Sequence, residues 1–137
     1  MRALVTGGCG FIGSNLTKKL VNLGWRVDVV DDLSNGDIDN ISSIDIRVIT
    51  PGLLARYDSS KDSNKTLVIT GDFAAPQILS RIAEKKYDII FHLAALPRVE
   101  YSVKNPVVTT EQNVTKSVLL MTACIDNVKR FVFSSSS

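Results

Sequence analysis

Residues 4–13 read Leu-Val-Thr-Gly-Gly-Cys-Gly-Phe-Ile-Gly, and this stretch decides the fold. A short apolar strand runs into a turn with glycines at Gly7, Gly10 and Gly13, and a helical pattern starts at once. Gly7 allows a tight turn. Gly10 lets the backbone approach a pyrophosphate with no side chain between. Gly13 lets the helix pack close on the strand. The N–H groups and positive dipole end of that helix then face the phosphates. A glycine triplet alone is a weak signal; strand, turn and helix in this order make it a dinucleotide-site pattern.

Length and composition fit one domain over residues 1–137. Apolar residues make up 45% and charged residues 22%, as in ordinary globular proteins. The net charge of +2 is too small to argue for nucleic acid or an anionic membrane. Lys and Arg are scattered without interleaved aromatics, so no nucleic-acid partner is expected. No apolar run approaches the ~20 residues of a membrane span, so no membrane partner is expected either. The glycine turn begins at residue 6, which leaves no room for a signal peptide before it. Cys9 and Cys124 lie in unrelated settings and read as small space-filling residues, with no disulfide framework and no metal site. Together these features lead to a cytoplasmic expectation.

Beyond the turn, the pattern predicts alternating elements. The first strand is Arg2–Thr6, followed by a helix over about 11–23 with Ile12, Leu16, Leu20 and Leu23 at helical spacing. Gly24 is a stop signal. A second strand, 26–30, ends in Asp31-Asp32-Leu33-Ser34-Asn35-Gly36. Residues 37–66 are hard to read, because Pro51-Gly52 breaks any long element and 58–65 is polar. A third strand is expected at 67–70, a helix over about 77–85, a fourth strand at 88–93, a long helix from Asn105-Pro106 to about Asp126, and a fifth strand at 130–134. This alternation implies an α/β, doubly wound parallel sheet of five strands ordered 3-2-1-4-5.

Asp31 lies 18 residues after Gly13, at the end of the second strand. A carboxylate there can accept hydrogen bonds from both hydroxyls of an adenosine ribose and would repel a 2′-phosphate. No Lys or Arg follows until Arg47, so NAD is preferred over NADP. Asp32 is the neighbouring candidate, with a turn-capping carboxylate as its alternative reading. His92 is the sole histidine, at the end of the fourth strand, and no orienting partner or nucleophile is evident beside it. It reads as a packed or capping residue.

Several motifs occur in order: Thr6-Gly7-Gly8-Cys9-Gly10-Phe11-Ile12-Gly13, Asp31 to Gly36, Gly71-Asp72, His92-Leu93-Ala94-Ala95, Asn113-Val114 and Phe133-Ser134-Ser135-Ser136. In combination they resemble the N-terminal half of an extended short-chain dehydrogenase/reductase, and specifically the NAD-dependent nucleotide-sugar epimerases and dehydratases. The resemblance spans nearly the whole chain. It implies that Gly7, Gly10 and Gly13 hold the pyrophosphate, with backbone N–H groups from Phe11 and Ile12. It implies that Asp31 takes the adenosine ribose with Asn35 nearby. Asp72 and Phe73 would flank the adenine, with the Asp72 carboxylate accepting from the exocyclic amine. Ala94 and Ala95 would pass close to the cofactor backbone, and Asn113 would help fix the active-site side of the fold. Ser136 matches the position that hydrogen-bonds the substrate hydroxyl in this family, with Ser134 and Ser135 lining the nicotinamide end.

The family's catalytic Tyr-x-x-x-Lys pair follows the serine strand, and these 137 residues end before it. Tyr57 to Lys61 has the same spacing but precedes the third strand in a polar loop, so it is set aside. The chain is therefore expected to bind NAD without turnover and to lack the half that would hold a UDP-sugar or similar nucleotide-sugar. A stand-alone NAD-binding or sensor module and one half of a split enzyme remain alternatives; a methyltransferase-like domain fits the glycine spacing poorly. The 106–126 helix carries Val107, Val114, Val118, Leu119 and Met121, and with the edge of the last strand it is expected to mediate self-association.

Overall fold

Alternating side chains of one short strand divide the core into two layers. In β1 (Arg2–Thr6), Leu4 points to one face and Ala3 and Val5 to the other, and all three are fully buried. Successive Cβ atoms of a strand point to opposite faces, so a strand buried on both sides is nearly continuous in apolar residues. The computed structural model describes residues 1–58 and 64–135. Its further elements are α1 (Phe11–Asn22), β2 (Arg26–Asp31), β3 (Ile46–Ile49), β4 (Thr66–Thr70), α2 (Pro76–Ala83), β5 (Ile89–His92), α3 (Val99–Lys104), α4 (Pro106–Thr110), a π-helical turn (Glu111–Thr115), α5 (Lys116–Cys124) and β6 (Arg130–Phe133).

All strand pairs are parallel, in the order β3-β4-β2-β1-β5-β6. The five strands expected from sequence keep their expected order. The sheet adds a sixth, because Ile46–Ile49 pairs with Thr66–Ile69 at the outer edge. It is short, and Arg47 and Val48 are exposed, so its pattern carries little burial signal. Its two isoleucines and valine were the β-branched cue.

Leu4, Val30, Ile69 and Ile90 pack beneath Ile78 and Ile82 of α2 and Leu120 of α5. Ala3, Val5, Val27, Val29 and Val68 pack on the other face with Leu20 of α1 and Ile41. Each fully buried Leu or Ile contributes roughly 1.5–3 kcal/mol relative to exposure. α1 ends as its sequence predicts. Gly24 adopts φ +80°, its N–H donates to Val21 O at 2.9 Å, and Trp25 N–H donates to Leu20 O at 3.1 Å. This paired closure is the Schellman arrangement that favours glycine.

The long helix expected from Asn105-Pro106 to about Asp126 forms without a break in helical backbone from Pro106 to Cys124, as α4, the π-helical turn and α5. Asn105 leaves the helical region at φ −132°, ψ 61°, which separates α3 from α4. The residue before a proline is sterically pushed out of the helical region, and Pro106 supplies that push. The π-helical turn joins α4 to α5 by widening the helix over Glu111–Thr115, and α5 ends at Cys124, two residues short of Asp126. No helix among the described residues is long and apolar enough to cross a membrane.

Candidate functional site: a crevice at the strand ends

The crevice opens at the carboxyl ends of the central strands. It is lined by Gly7 and Gly10 after β1, by Val30, Asp31, Asp32, Ser34, Asn35 and Gly36 at and beyond β2, and by Gly71, Asp72 and Phe73 after β4. Leu93, Ala94, Ala95 and Leu96 after β5 and Gln112 of the π-helical turn complete it. The chain passes from β1 to β2 on one side and places β5 on the other. In open α/β sheets such a reversal leaves a cleft where ligands bind.

The glycine turn is built by close approach. Gly7 has φ +69°, and a Cβ there would lie 2.8 Å from Ala94 N. At Gly13 a Cβ would lie 2.1 Å from Gly7 O, so only glycine lets α1 start directly against the turn. Gly10 occupies the N-cap of α1 without a side-chain cap. The first-turn N–H groups of Phe11, Ile12 and Gly13 therefore meet no capping side chain, while the Phe11 and Ile12 side chains are exposed away from the core.

Asp31 is buried, with 7% exposure. Its Oδ2 accepts the Cys9 N–H at 2.9 Å and its Oδ1 accepts the Leu33 N–H at 2.9 Å. The Leu33 bond is made with Leu33 at φ +62°, a conformation that turns the chain back over the carboxylate. Asp37 N–H and Asn40 Nδ2 both donate to Cys9 O, at 3.1 and 2.8 Å. The glycine turn is thus tied to the end of β2 and the segment after it through both backbone polar groups of Cys9. Gly36 is drawn in so closely that a Cβ would stand 3.0 Å from each Asp31 carboxylate oxygen. Asp32 is an exposed turn carboxylate, accepting from Ser34 N–H at 2.9 Å and Ser34 Oγ at 2.6 Å.

At the other end of the crevice, Asp72 accepts the Ala74 N–H through Oδ1 at 2.8 Å and pairs with Lys116 through Oδ2. Phe73 is buried and meets the His92 ring edge-on, with centroids 4.8 Å apart. Thr6 Oγ1 receives the Leu93 and Ala94 N–H groups at 3.2 and 3.1 Å and contacts His92 Nδ1, and His92 Nε2 contacts Ser117 Oγ at 2.8 Å. His92 is therefore a packed residue; it caps no helix. Burial pushes its pKa down to about 4. Burial, with the Asp31 and Asp37 carboxylates adding to it, pushes the Cys9 thiol up to about 12, as befits a packed residue rather than a nucleophile.

The structure brings Gly7, Gly10, Asp31, Asp32, Asn35, Asp72, Phe73, Ala94 and Ala95 to one crevice. Gly13 stands behind the turn. Asn113 points instead at the loop after β5, where its Oδ1 accepts the Leu96 N–H at 2.7 Å and its Nδ2 donates to Leu96 O at 3.1 Å. Ser134 is exposed outside the crevice and donates its N–H to His92 O. Ser136 lies outside the described residues, as do Ser59, Ser60 and Lys61 of the Tyr57 spacing. Of the lining residues, the sequence did not single out Val30, Ser34, Gly36, Gly71, Leu93, Leu96 and Gln112 as site residues. Ser34 and Gly36 carried a signal in the turn cluster already noted; Gln112 carried none.

A doubly wound parallel sheet with a glycine turn at its reversal point is a Rossmann-type fold. The chain belongs to the NAD dependent epimerase/dehydratase family, whose model matches residues 3–137. It is 34% identical to the UDP-glucose 4-epimerase of Mycolicibacterium smegmatis, over 99% of this chain and 39% of that protein. The crystal structure of Thermotoga maritima UDP-glucose 4-epimerase with UDP-glucose superposes with a TM-score of 0.78 at 32% identity, over 99% of this chain and 38% of that one. The Stenotrophomonas maltophila UDP-glucose 4-epimerase, solved with bound NAD and formylated UDP-arabinopyranose, gives 0.75 at 30% identity, over 100% and 37%. The chain thus spans about two fifths of the length of these relatives.

Proposed function

We infer that the crevice binds NAD(H), and that this chain is the cofactor-binding portion of a nucleotide-sugar epimerase or dehydratase. The observation that carries the reading is the meeting of three features at one point: the buried Asp31 carboxylate, the glycine turn and the start of α1, which no side chain caps. A pyrophosphate over Gly7 and Gly10 would be met by the first N–H groups of α1. A ribose over the end of β2 would be met by Asp31, whose oxygens each hold one backbone N–H and retain lone pairs for hydroxyl donors.

The same geometry favours NAD over NADP. The described crevice lining includes Asp31, Asp32 and Asp72 but no Lys or Arg. Asp31 is pinned by two backbone donors and cannot swing away from a 2′-phosphate. Bound NAD would supply the hydride acceptor for oxidising a sugar hydroxyl. The residues of this chain do the binding: Asp31 orients the adenosine, and the Ala94–Leu96 loop, latched by Asn113, walls the cofactor path beyond β5. The Tyr-x-x-x-Lys pair that the family resemblance puts after β6 is not among these residues, so the 137-residue chain alone is expected to bind without turnover.

Titration of the purified chain with NAD, NADH and NADP tests the reading. Saturable NAD(H) binding with weaker NADP binding is expected. No binding of either, or tighter NADP binding, would overturn it. Epimerisation of a UDP-sugar by this chain alone would overturn the expectation of binding without turnover.

A further inference from the structure

Lys116 opens α5 and reaches across to the end of β4. Its ammonium pairs with Asp72 Oδ2, and its side chain is only 17% exposed. Holding a long side chain in one geometry costs conformational entropy, so a fixed, largely buried Lys implies a compensating contact. Asp72 is anchored twice, by Lys116 on Oδ2 and by the Ala74 N–H on Oδ1. Its side chain is nonetheless 41% exposed, and the residue lines the crevice. Gln112, four residues before Lys116 and so on the same side of the helical segment, lines the crevice too.

Strand order says which part of a dinucleotide meets this wall. β4 flanks β2 on the side away from β1. With the pyrophosphate at the turn after β1 and the adenosine ribose at Asp31 on β2, the base continues outward over the end of β4, where Asp72 stands. We propose that Lys116 is a positioning residue for base selection: it holds the Asp72 carboxylate so that its remaining lone pairs accept the exocyclic amine of a 6-aminopurine. This rests on the NAD reading above. A 6-oxopurine brings an acceptor oxygen to the same place, where it meets carboxylate lone pairs and has no donor to offer there. Without Lys116 the carboxylate keeps one anchor, rotates and is solvated, and loses both its aim and its discrimination.

The test is titration of the wild-type chain, Lys116→Met, Lys116→Arg, Asp72→Asn and the Lys116→Met/Asp72→Asn double variant with two ligands. These are NAD and its hypoxanthine analogue, in which oxygen replaces the 6-amino group. Thermal melts run alongside, and Lys116→Gln substitutes should Lys116→Met not fold. The wild type is expected to prefer NAD. Lys116→Met should weaken NAD binding roughly 3- to 10-fold and narrow the preference, and Lys116→Arg should restore both. The double variant should bind NAD no more weakly than Asp72→Asn alone. Unchanged NAD affinity and preference in Lys116→Met, or fully additive losses in the double variant, would overturn the proposal while leaving NAD binding intact. A wild-type chain that binds neither ligand overturns the NAD reading itself and this proposal with it.

Discussion

Thr6 Oγ1 lies 2.6 Å from His92 Nδ1, joining the carboxyl ends of β1 and β5 under the crevice floor. The Thr6 oxygen already receives two backbone N–H groups, from Leu93 and Ala94. Its own hydrogen is left to donate to Nδ1, which makes the ring neutral with its proton on Nε2, directed at Ser117 Oγ. The sole histidine is thus a structural strut. It fixes the height of the Leu93–Ala94 backbone against the glycine turn.

A neutral buried histidine makes stability depend on pH. Burial pushes the His92 pKa from its ordinary 6.5 down to about 4. Between those values the unfolded chain takes up a proton that the folded chain refuses. The stabilisation is complete above pH 6.5 and is lost as pH falls toward 4, by about 3 kcal/mol in all. Urea midpoints measured from pH 7.5 to 4.5 should fall across that window, and His92→Gln should flatten the fall. A wild-type midpoint that stays level from pH 7 to 5 would count against the neutral strut.

Gly13→Ala places a methyl group 2.1 Å from Gly7 O and 2.8 Å from Gly8 Cα, both backbone atoms. Neither can yield without moving α1 off the turn. Stability should drop by about 3 kcal/mol or more, at or beyond the upper end of ordinary overpacking. NAD binding should be lost even below the melting temperature. Gly52→Ala, which meets nothing within 4 Å, is the control and should melt like the wild type.

Asp31→Ala removes the acceptor for Cys9 N–H and Leu33 N–H as well as the proposed ribose ligand. NAD affinity should weaken by roughly 1–3 kcal/mol. NADP affinity should change less, because the repelling charge leaves with the hydrogen bonds. Calorimetric titration with both ligands measures the two changes, and equal losses would argue against a ribose contact.

Cys9 and Cys124 should resist thiol reagents in the folded chain. Burial, with Asp31 and Asp37 contributing at Cys9, pushes their thiols up to about 12 and about 11. Thiolate is the reactive form, and both residues are buried. Labelling with a disulfide reagent at pH 8 should be slow in buffer and complete in urea. Prompt native labelling of either residue would contradict the packing described.

Much of the fold was legible because its signals are local. Apolar runs with β-branched residues marked the central strands, and Gly24 marked the end of α1. The edge strand Ile46–Ile49 was missed because half of it faces solvent. The long helix was legible from Pro106 to Cys124, but periodicity marked neither the widening of residues 111–115 into a π-helical turn nor the short helix Val99–Lys104 before it. In the site, Gly7, Gly10 and Asp31 were legible because glycine spacing and a strand-end carboxylate have few other uses in this order. Gln112 and Lys116 have ordinary surface chemistry in a helical pattern, and nothing local marks them.

By itself the sequence determined the class of fold, the order of its central strands and the turn at their reversal. These follow from backbone freedom at Gly7, close packing at Gly13 and alternation within strands, all of which act between near neighbours. Only the tertiary structure decided the pairings across the crevice. Thr6 meets His92 across 86 residues, Asp72 meets Lys116 across 44, and Asn113 meets Leu96 across 17. Such contacts depend on which loops the sheet brings to one edge, because a side chain's partner is set by where strands and helices dock, not by its distance along the chain.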